Sequence, residues 1–562
     1  MDTTNKENNQ KYFDEYGNLL VHRDWGDEFK IKTTLSNNYI DTDWHVYKTL
    51  PKELEQDKKS LKNKKENKKN NQKKVKKVKK ANKYDEIYKS AEDMSFHIDK
   101  NISSKIEGRL KKKVKKYLKH PQNTQYNDRF FAEIIVGLYK NYILFNKDTN
   151  KWLWWTGKYW KEDEEQIIAR ICIKTIFELQ RSFEMNSAHE RIVKTVAQYG
   201  NYHEIRNLIS MLSTYCSCQT SDFDNEKHLL NVKNGTINLK TKIVQRHKPS
   251  DMITQFINVD YEKHPVGNQF KIFIRGICNE DTELIEYLQT MYGYAITGEI
   301  SEQCLFFEHG SGANGKSTLN SLVSDIVSNY SETVSYDLFK KNARSSSSSP
   351  SPELEKLRGK RIAFCAETST DLINEAKIKE ITGGERITAR ALYSKPITYM
   401  PQFTLIFETN NNPTINGADY AIWIRIIVIP FLCKFKKNPN LKNVLLQEKT
   451  VILKWLVDGA YNYYQNGLPE CRAVKKATEK YMEDEDTVGA FVKYCLKEDK
   501  DNICFAKELY AAYEKFCAGE CNTPLDIKKF KSGMEAKGYI NKRINKGRAW
   551  MGVKLKKFAV GK

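Results

Sequence analysis

No run of 18 apolar residues occurs in the chain, which argues against a conventional transmembrane helix. The opening stretch, MDTTNKENNQKYFDEYG, is polar and acidic and has no apolar h-region, so no secretory signal is expected there. No CxxC appears among the 12 scattered cysteines. The close pairs Cys216-Ser-Cys218 and Cys517-x3-Cys521 lack a second pair at zinc spacing. Reduced thiols in a reducing compartment are favoured over a structural zinc.

The 562 residues and 65.5 kDa correspond to three to four domains at roughly 150 residues each. An apolar share of 40% and a charged share of 29% fit a soluble globular enzyme or an assembly protein. Net charge is +22, from 93 Lys+Arg against 71 Asp+Glu, which points to a polyanionic partner such as nucleic acid. The excess is uneven. Residues 58–83 hold 14 lysines and one acid, Glu66, leaving +9 for the remaining chain.

That lysine tract cannot bury a core and reads as a linker or a nonspecific DNA arm, with a nuclear localisation signal as a third reading. Arg109 to Lys119 has Leu110, Val114 and Leu118 at helical spacing and predicts a short basic helix. Residues 126–260 read as α+β. Trp152 to Trp160 predicts an aromatic hairpin turned at Gly157. Its rings could stack bases, but a local hydrophobic core is the better reading. Asn234-Gly235 predicts a type I′ hairpin within Leu229–Leu239. Residues 268–298 read as helical up to Gly293, and 442–482 as helical. Between them, the apolar runs Cys304–Phe307, Ile362–Ala366, Phe403–Phe407 and Ile426–Ile429 are expected as strands buried on both faces of an α/β sheet. Ser345–Ser349 with Pro350 reads as a loop.

Gly310-Ser311-Gly312-Ala313-Asn314-Gly315-Lys316-Ser317, followed by Thr318, is a complete G-x4-GK[ST] phosphate loop. A strand-like run precedes it. Leu319, Leu322, Val323, Ile326 and Val327 then follow on one helical face. Glycines let backbone N–H groups wrap phosphates, and the helix N-terminus adds its positive end. Lys316 is expected to reach the β- and γ-phosphates of ATP, and Ser317 to ligate Mg²⁺. Glu367, at the tip of Ile362–Ala366, is a candidate for holding Mg²⁺ or polarising the attacking water, against a helix-cap acid. Asn410 is a candidate for fixing that water, against a plain turn residue in Thr409-Asn-Asn-Asn-Pro413. Arg425 enters the last strand, where a lone arginine is usually structural.

In this order the motifs resemble a superfamily 3 helicase of the AAA+ class, in the branch of phage/plasmid and large DNA virus primase-helicases. Further residues carry the likeness: Asp281-x-Glu-Leu-Ile-Glu-Tyr-Leu-Gln289, Gly293-Tyr-Ala-Ile-Thr-Gly298, Gly359-Lys-Arg-Ile-Ala-Phe-Cys-Ala-Glu367, Lys379-Glu-Ile-Thr-Gly383-Gly384-Glu385-Arg-Ile-Thr-Ala-Arg390 and Trp423-Ile-Arg425. The resemblance implies a ring, expected as a homo-hexamer, in which Arg425 acts as a finger on the neighbouring subunit's ATP. It also implies a hairpin that touches DNA, expected here through Thr388–Met400 with its turn near Ser394-Lys395-Pro396; Lys395 is the candidate phosphate contact, against an ordinary exposed turn lysine. Ile424 stands where the family often has a first arginine, and Ala366 and Thr368 flank Glu367 where many relatives have a second acid.

Priming within this chain is not expected. Only 57 residues precede the lysine tract, and Asp41-Thr-Asp43 follows no buried strand. A separate primase and polymerase stay open as partners. The expected organisation is 1–57 without assigned role, 58–83 linker or arm, and 84–265 an α+β primase-helicase N-terminal-type region. An AAA+-like P-loop ATPase core with helical collar follows at 266–440, then a helical connector at 441–486. The last unit, 487–562, reads as a winged-helix-like DNA-binding domain whose hairpin carries Lys546 and Arg548, against a merely charged exposed hairpin. The function expected is ATP-dependent unwinding of DNA in replication of a virus or mobile element, on single-stranded and forked DNA. The rivals are a P-loop DNA motor and a replication initiator without processive unwinding. An intracellular site, in the host cytoplasm or at a viral replication site, is expected, with the nucleus open and no membrane partner.

Overall fold

In the computed structural model the chain divides into two compact units, Met1–Asp93 and Met94–Lys562. The structure describes Tyr12–Phe13 and Leu19–Leu20, which pair as short antiparallel strands, and the chain from Lys100 to Lys556 except 119–124, 187, 189, 342–350, 367–369, 391–395, 416–419, 521–523 and 546. The lysine tract, the serine loop, Glu367, Lys395 and Lys546 lie outside the described residues.

The second unit opens with helices α1 (Lys100–Leu118) and α2 (Asp128–Tyr139). Ile106 and Leu110 of α1 bury against the cluster around Phe130 and Phe131, so the basic stretch is the outer face of a packed helix. Strands β1 (Ile143–Asn146), β2 (Lys151–Trp155) and β3 (Trp160–Glu162) form a meander. Trp155 faces Trp160 across the turn at Gly157, whose φ is 99°. Trp154 and Trp155 are buried in different clusters, which makes the hairpin a core element and leaves little ring surface for bases. Helices α3 (Ile167–Met185), α4 (Glu190–Gln198) and α5 (Tyr202–Tyr215) cover it, and β4 (Ser217–Cys218) adds to β1 in parallel.

Strands β5 (Leu229–Val232), β6 (Gly235–Asn238) and β7 (Ile243–Gln245) follow as a second meander. The expected hairpin is present, but Val232 pairs with Gly235, so the turn is Lys233-Asn234 and not Asn-Gly. Asn234 is held through its amide by the backbone of Tyr261, at 2.9 and 3.0 Å. Gly235 serves a close approach instead: a Cβ there would lie 2.6 Å from the Gln245 carbonyl of β7.

Helices α6 (Gln269–Ile277) and α7 (Thr282–Thr297) lead into the central sheet. The sequence expectation ended helicity at Gly293. The helix instead runs to Thr297 and stops at Gly298, with φ of 77°. Gly293 is helical because α11 (Lys449–Asn466) crosses it so closely that a Cβ would sit 2.0 Å from the Gly459 backbone.

The central sheet contains β8 (Leu305–His309), β9 (Ser331–Val334), β10 (Ile362–Cys365), β13 (Thr404–Thr409) and β14 (Ile426–Pro430) in the order β9-β10-β13-β8-β14, all parallel. Four of these are the expected runs. The fifth, β9, is short and half polar, so it gave no apolar run to read. Both faces are covered. Phe306 joins a core with Tyr292, Leu319 and Leu456, while Leu305 and Phe307 join one with Phe407, Trp423 and Tyr481. That double burial explains why these strands read as continuous apolar runs. The molecule is thus mixed α/β around a parallel sheet.

After β10 come α9 (Glu375–Thr382) and the antiparallel hairpin β11 (Ile387–Ala389) and β12 (Ile397–Tyr399), whose apex at 391–395 is not described. Helices α10 (Leu441–Leu446), α11 and α12 (Arg472–Glu485) follow the sheet. The C-terminal part holds α13 (Thr487–Cys495), α14 (Ala506–Gly519), α15 (Ile527–Ala536) and an antiparallel sheet of β15 (Leu496–Phe505), β16 (Ile540–Ile544) and β17 (Gly547–Leu555), with β17 central. Strand β15 was not expected from sequence. Its acidic middle, Glu498 to Asp501, breaks the pairing between Glu498 and Ile503. Among the described residues no helix is long and apolar enough to cross a membrane.

Candidate active site

The phosphate-loop segment joins the C-terminal end of β8 to α8 (Lys316–Val327). Gly312, Ala313 and Gly315 all have positive φ, at 90°, 51° and 90°, which curls the loop so that α8 starts at Lys316. The apolar positions Leu319, Leu322, Val323, Ile326 and Val327 are all buried, as their spacing predicts. The loop is pinned from outside. Asn314 Nδ2 donates to the Phe431 carbonyl at 3.2 Å, and Phe435 N donates to the Ala313 carbonyl at 2.8 Å.

Lys316 is only 2% exposed. Its ammonium donates to the Gly310 carbonyl at 2.6 Å, the Thr409 carbonyl at 2.9 Å and Asn410 Oδ1 at 3.2 Å. The last two acceptors are the final residue of β13, the neighbour of β8, and the residue that follows it. Burial lowers the Lys316 pKa, and the nearby acids, Glu408 first and then Glu308 when ionised, oppose that shift. Lys316 and Asn410, which the sequence read as separate motifs, therefore meet directly. Asn410 itself is exposed.

The Ser317 hydroxyl donates to Glu408. Glu408 was not anticipated, and neither was Glu308, which stands level with it on the adjacent strand. Glu308 is fully buried. Its Oε1 lies 2.7 Å from the Tyr292 hydroxyl, and Asn320 Nδ2 donates to its Oε2 at 2.6 Å. Burial first pushes its pKa up, to about 7, and Glu408 adds to the rise. The bonds from Tyr292 and Asn320 and the charge of Lys316 oppose it. The sequence did carry a signal. Phe306-Phe307-Glu308 and Ile406-Phe407-Glu408 each place an acid after two apolar residues, but the strands were read as ending at Phe307 and Phe407. They run two residues further and carry both acids into the sheet.

Arg425 precedes β14. Its Nη1 donates to the Ala421 carbonyl at 2.7 Å, and its buried Nε has no hydrogen-bond partner among the described residues. It pairs with no carboxylate among the described residues. Arg548 is exposed on β17 opposite Arg543 of β16. Ile544 pairs with Gly547, the last pair of that hairpin, so Arg548 is a strand residue one pair further from the turn. Thr388 and Thr398 hydroxyls lie 3.0 Å apart across the β11–β12 hairpin.

Ser317 offers a hydroxyl oxygen and Glu408 a carboxylate beside it, an all-oxygen setting of the kind a hard divalent cation takes. Among the described residues no group of three or more His, Cys, Asp or Glu side chains could hold a metal by itself. The arrangement suits a cation that arrives with phosphate oxygens of its own.

Residues 132–291 match the family described as D5 N terminal like, and residues 483–554 match the poxvirus D5 protein-like family. The segment 309–421, which contains the phosphate loop, matches a family of unknown function. The chain is 34% identical over 231 residues to "Putative helicase L207/L206" of Acanthamoeba polyphaga mimivirus, covering 40% of this chain and 24% of that protein. It is 23% identical over 336 residues to "Putative primase C962R" of African swine fever virus, isolate Tick/Malawi/Lil 20-1/1983, covering 54% of this chain and 34% of that protein. "Primase D5" of fowlpox virus is 30% identical over 142 residues, 24% of this chain and 17% of the relative. The aligned part thus spans 17–34% of each relative's length. Two segments of the chain thus match D5-type families, and relatives from large DNA viruses carry helicase and primase names, which is consistent with a primase-helicase family.

Proposed function

We propose that the chain is an ATP-dependent DNA helicase that unwinds duplex DNA during replication of a virus or mobile element. One observation carries the reading: the Lys316 ammonium, buried at the loop, bridges Gly310 and Thr409 to the Asn410 amide. A lysine so placed can exchange a carbonyl for a phosphate oxygen without moving its stem. The residues Gly310–Thr318 would hold the nucleotide's phosphates, with the α8 N-terminus adding favourable field. Ser317 would ligate Mg²⁺, with Glu408 holding its hydroxyl proton. When bound, Mg²⁺ neutralises charge on the phosphate oxygens. Asn410 would orient the attacking water, a task in which Glu367 would share as base or metal ligand.

The strand order, with β8 between β13 and β14, supports an AAA+-like core. Arg425 precedes the edge strand β14, and in a ring it would face the adjoining subunit. We therefore assign Arg425 the role of finger in trans within a hexameric ring. Lys395, between β11 and β12 in sequence, and Lys546 and Arg548 of a winged-helix-like C-terminal unit would contact DNA phosphates. A strand-displacement assay on forked DNA tests the reading. The intact chain is expected to unwind with ATP and Mg²⁺, and Lys316→Ala to abolish both turnover and unwinding. ATP turnover without unwinding would instead favour a P-loop motor or an initiator. Full turnover by Lys316→Ala would overturn the site.

A further inference from the structure

Glu308, Tyr292 and Asn320 come from three different elements and meet in a sealed space. Glu308 lies on β8, one residue before His309 and two before the loop. Asn320 lies on α8, one turn after Lys316. Tyr292 lies on α7. Tyr292 and Glu308 are fully buried, and Asn320 is 7% exposed. Their polar atoms make a triangle: Tyr292 Oη to Glu308 Oε1 at 2.7 Å, Tyr292 Oη to Asn320 Oδ1 at 2.5 Å, and Asn320 Nδ2 to Glu308 Oε2 at 2.6 Å.

Each side of that triangle is short enough to require a hydrogen. Three sides need three protons. Asn320 can direct one N–H into the triangle, and Tyr292 owns one O–H. If Glu308 were a carboxylate, one side would be two bare oxygens in contact inside an apolar core. Turning the Asn320 amide over does not help. Its N–H would then serve the Tyr292 side, the Tyr292 proton would serve Glu308, and two oxygens would still face each other between Asn320 and Glu308. Only a proton on Glu308 closes the ring in either orientation.

We propose that Glu308 is a neutral carboxylic acid when the ring is closed, and that the ring positions the phosphate-loop helix against β8 and α7. Its consequence for nucleotide rests on the ATPase reading above. Glu308 is then a positioning residue acting through Asn320 and α8. The charged groups facing it are Lys316 from α8 and Glu408 from β13, with the Tyr292 phenol from α7. On the remaining side its neighbour in register is the apolar Ile429 of β14. Losing the proton would set two oxygens against one another and open the triangle, loosening the start of α8 where Lys316 and Ser317 stand. Burial, which pushes the Glu308 acid up to about 7, puts that event within reach of ordinary solution conditions.

The test uses the whole chain with Glu308→Gln, Glu308→Ala and Tyr292→Phe. Gln reproduces the neutral acid: its N–H meets Tyr292 and its carbonyl accepts from Asn320. Tripolyphosphate and ATP binding are measured between about pH 6 and pH 8.5. The wild type is expected to weaken above about pH 7, by up to about 30-fold at pH 8.5 if only the closed ring binds. Glu308→Gln is expected to match the wild type at pH 6 and to lose that weakening, whereas Glu308→Ala binds poorly throughout. Infrared difference spectra read the acid independently of nucleotide. A protonated-carboxyl band is expected at pH 6, absent in Glu308→Gln and titrating at another pH in Tyr292→Phe. Equal damage from Gln and Ala at pH 6, parallel pH profiles for wild type and Gln, or no band assignable to Glu308 would each overturn the proposal. If no form binds ATP or tripolyphosphate, the ATPase reading fails while the infrared result still decides the ring.

Discussion

Removing the Arg361 guanidinium is expected to separate the central sheet from the region before it. Arg361 is 4% exposed and sits at the entrance of β10. Its Nη1 donates to the Ile296 carbonyl at the end of α7 (2.7 Å), and its Nη2 donates to the Leu229 carbonyl at the start of β5 (2.6 Å). The guanidinium also lies over the Tyr330 ring, 4.7 Å from its centroid. One side chain thus ties three elements that are far apart in sequence. Arg361→Ala deletes two charge-assisted bonds and leaves both carbonyls buried and unpaired. Bonds to charged groups contribute about 1.5–3 kcal/mol each, and a desolvated cation–π contact about 2. These terms overlap, so the loss is expected at roughly 3–5 kcal/mol, the range for breaking a buried charged network. Arg361→Lys keeps a charge but not the planar fork, and is expected to lose about half as much. Urea unfolding followed by tryptophan fluorescence measures this, because Trp154, Trp155 and Trp160 lie on one side of the joint and Trp423 on the other. Non-coincident transitions in Arg361→Ala are expected where the wild type unfolds more cooperatively. A loss below about 1 kcal/mol for Arg361→Ala would refute the reasoning, since it would mean the two carbonyls find other donors.

Other expectations follow from single contacts. Glu448 accepts three backbone N–H groups at the start of α6, from Asn268, Gln269 and Phe270 at 2.9–3.0 Å, so Glu448→Ala is expected to cost about 1–2 kcal/mol in denaturant melts, with Gln recovering part of it. Because the Glu308 pKa rises from 4.5 to about 7 on folding, its stabilising effect is complete below pH 4.5 and is lost as pH climbs to about 7. That is about 3 kcal/mol, absent in Glu308→Gln and readable as thermal midpoint against pH. Gly293→Leu is expected to force α7 and α11 apart and to give little folded protein on gel filtration, since even a Cβ would overlap the Gly459 backbone. Mixing Arg425→Ala with Lys316→Ala subunits is expected to restore part of the ATPase that each lacks alone; mixed rings that stay inactive would remove the trans role.

What could be read from the chain alone depended on whether an element's own residues announced it. The phosphate loop and the apolar face of α8 are local, so spacing located both. Four strands of the central sheet showed as apolar runs because helices cover them on both sides. Strand β9 did not, because Ser331 and Glu332 interrupt it and only its parallel pairing with β10 makes it a strand. The end of α7 was misjudged for a related reason. Gly293 is a helix breaker by local preference, but here the close crossing with Gly459 requires it.

The two strand acids mark the deeper limit. An acid following two apolar residues looks like the place where a strand surfaces, because a charged carboxylate is costly to bury. At Glu408 that instinct fails only partly, since the carboxylate meets Ser317 near the mouth of the site. At Glu308 it fails wholly, and the reason is a proton that no sequence pattern displays. Tyr292 lies 16 residues before Glu308 and Asn320 lies 12 after it. Neither spacing belongs to a helix face or a strand face, so nothing local links them. Once α7 and α8 pack on the same side of β8, the three groups meet and the acid need not be charged at all. Residues that are polar by composition become part of the core when the fold supplies partners for every lone pair and every hydrogen. The acid nearest the loop is therefore legible as a site residue only after the tertiary arrangement is known.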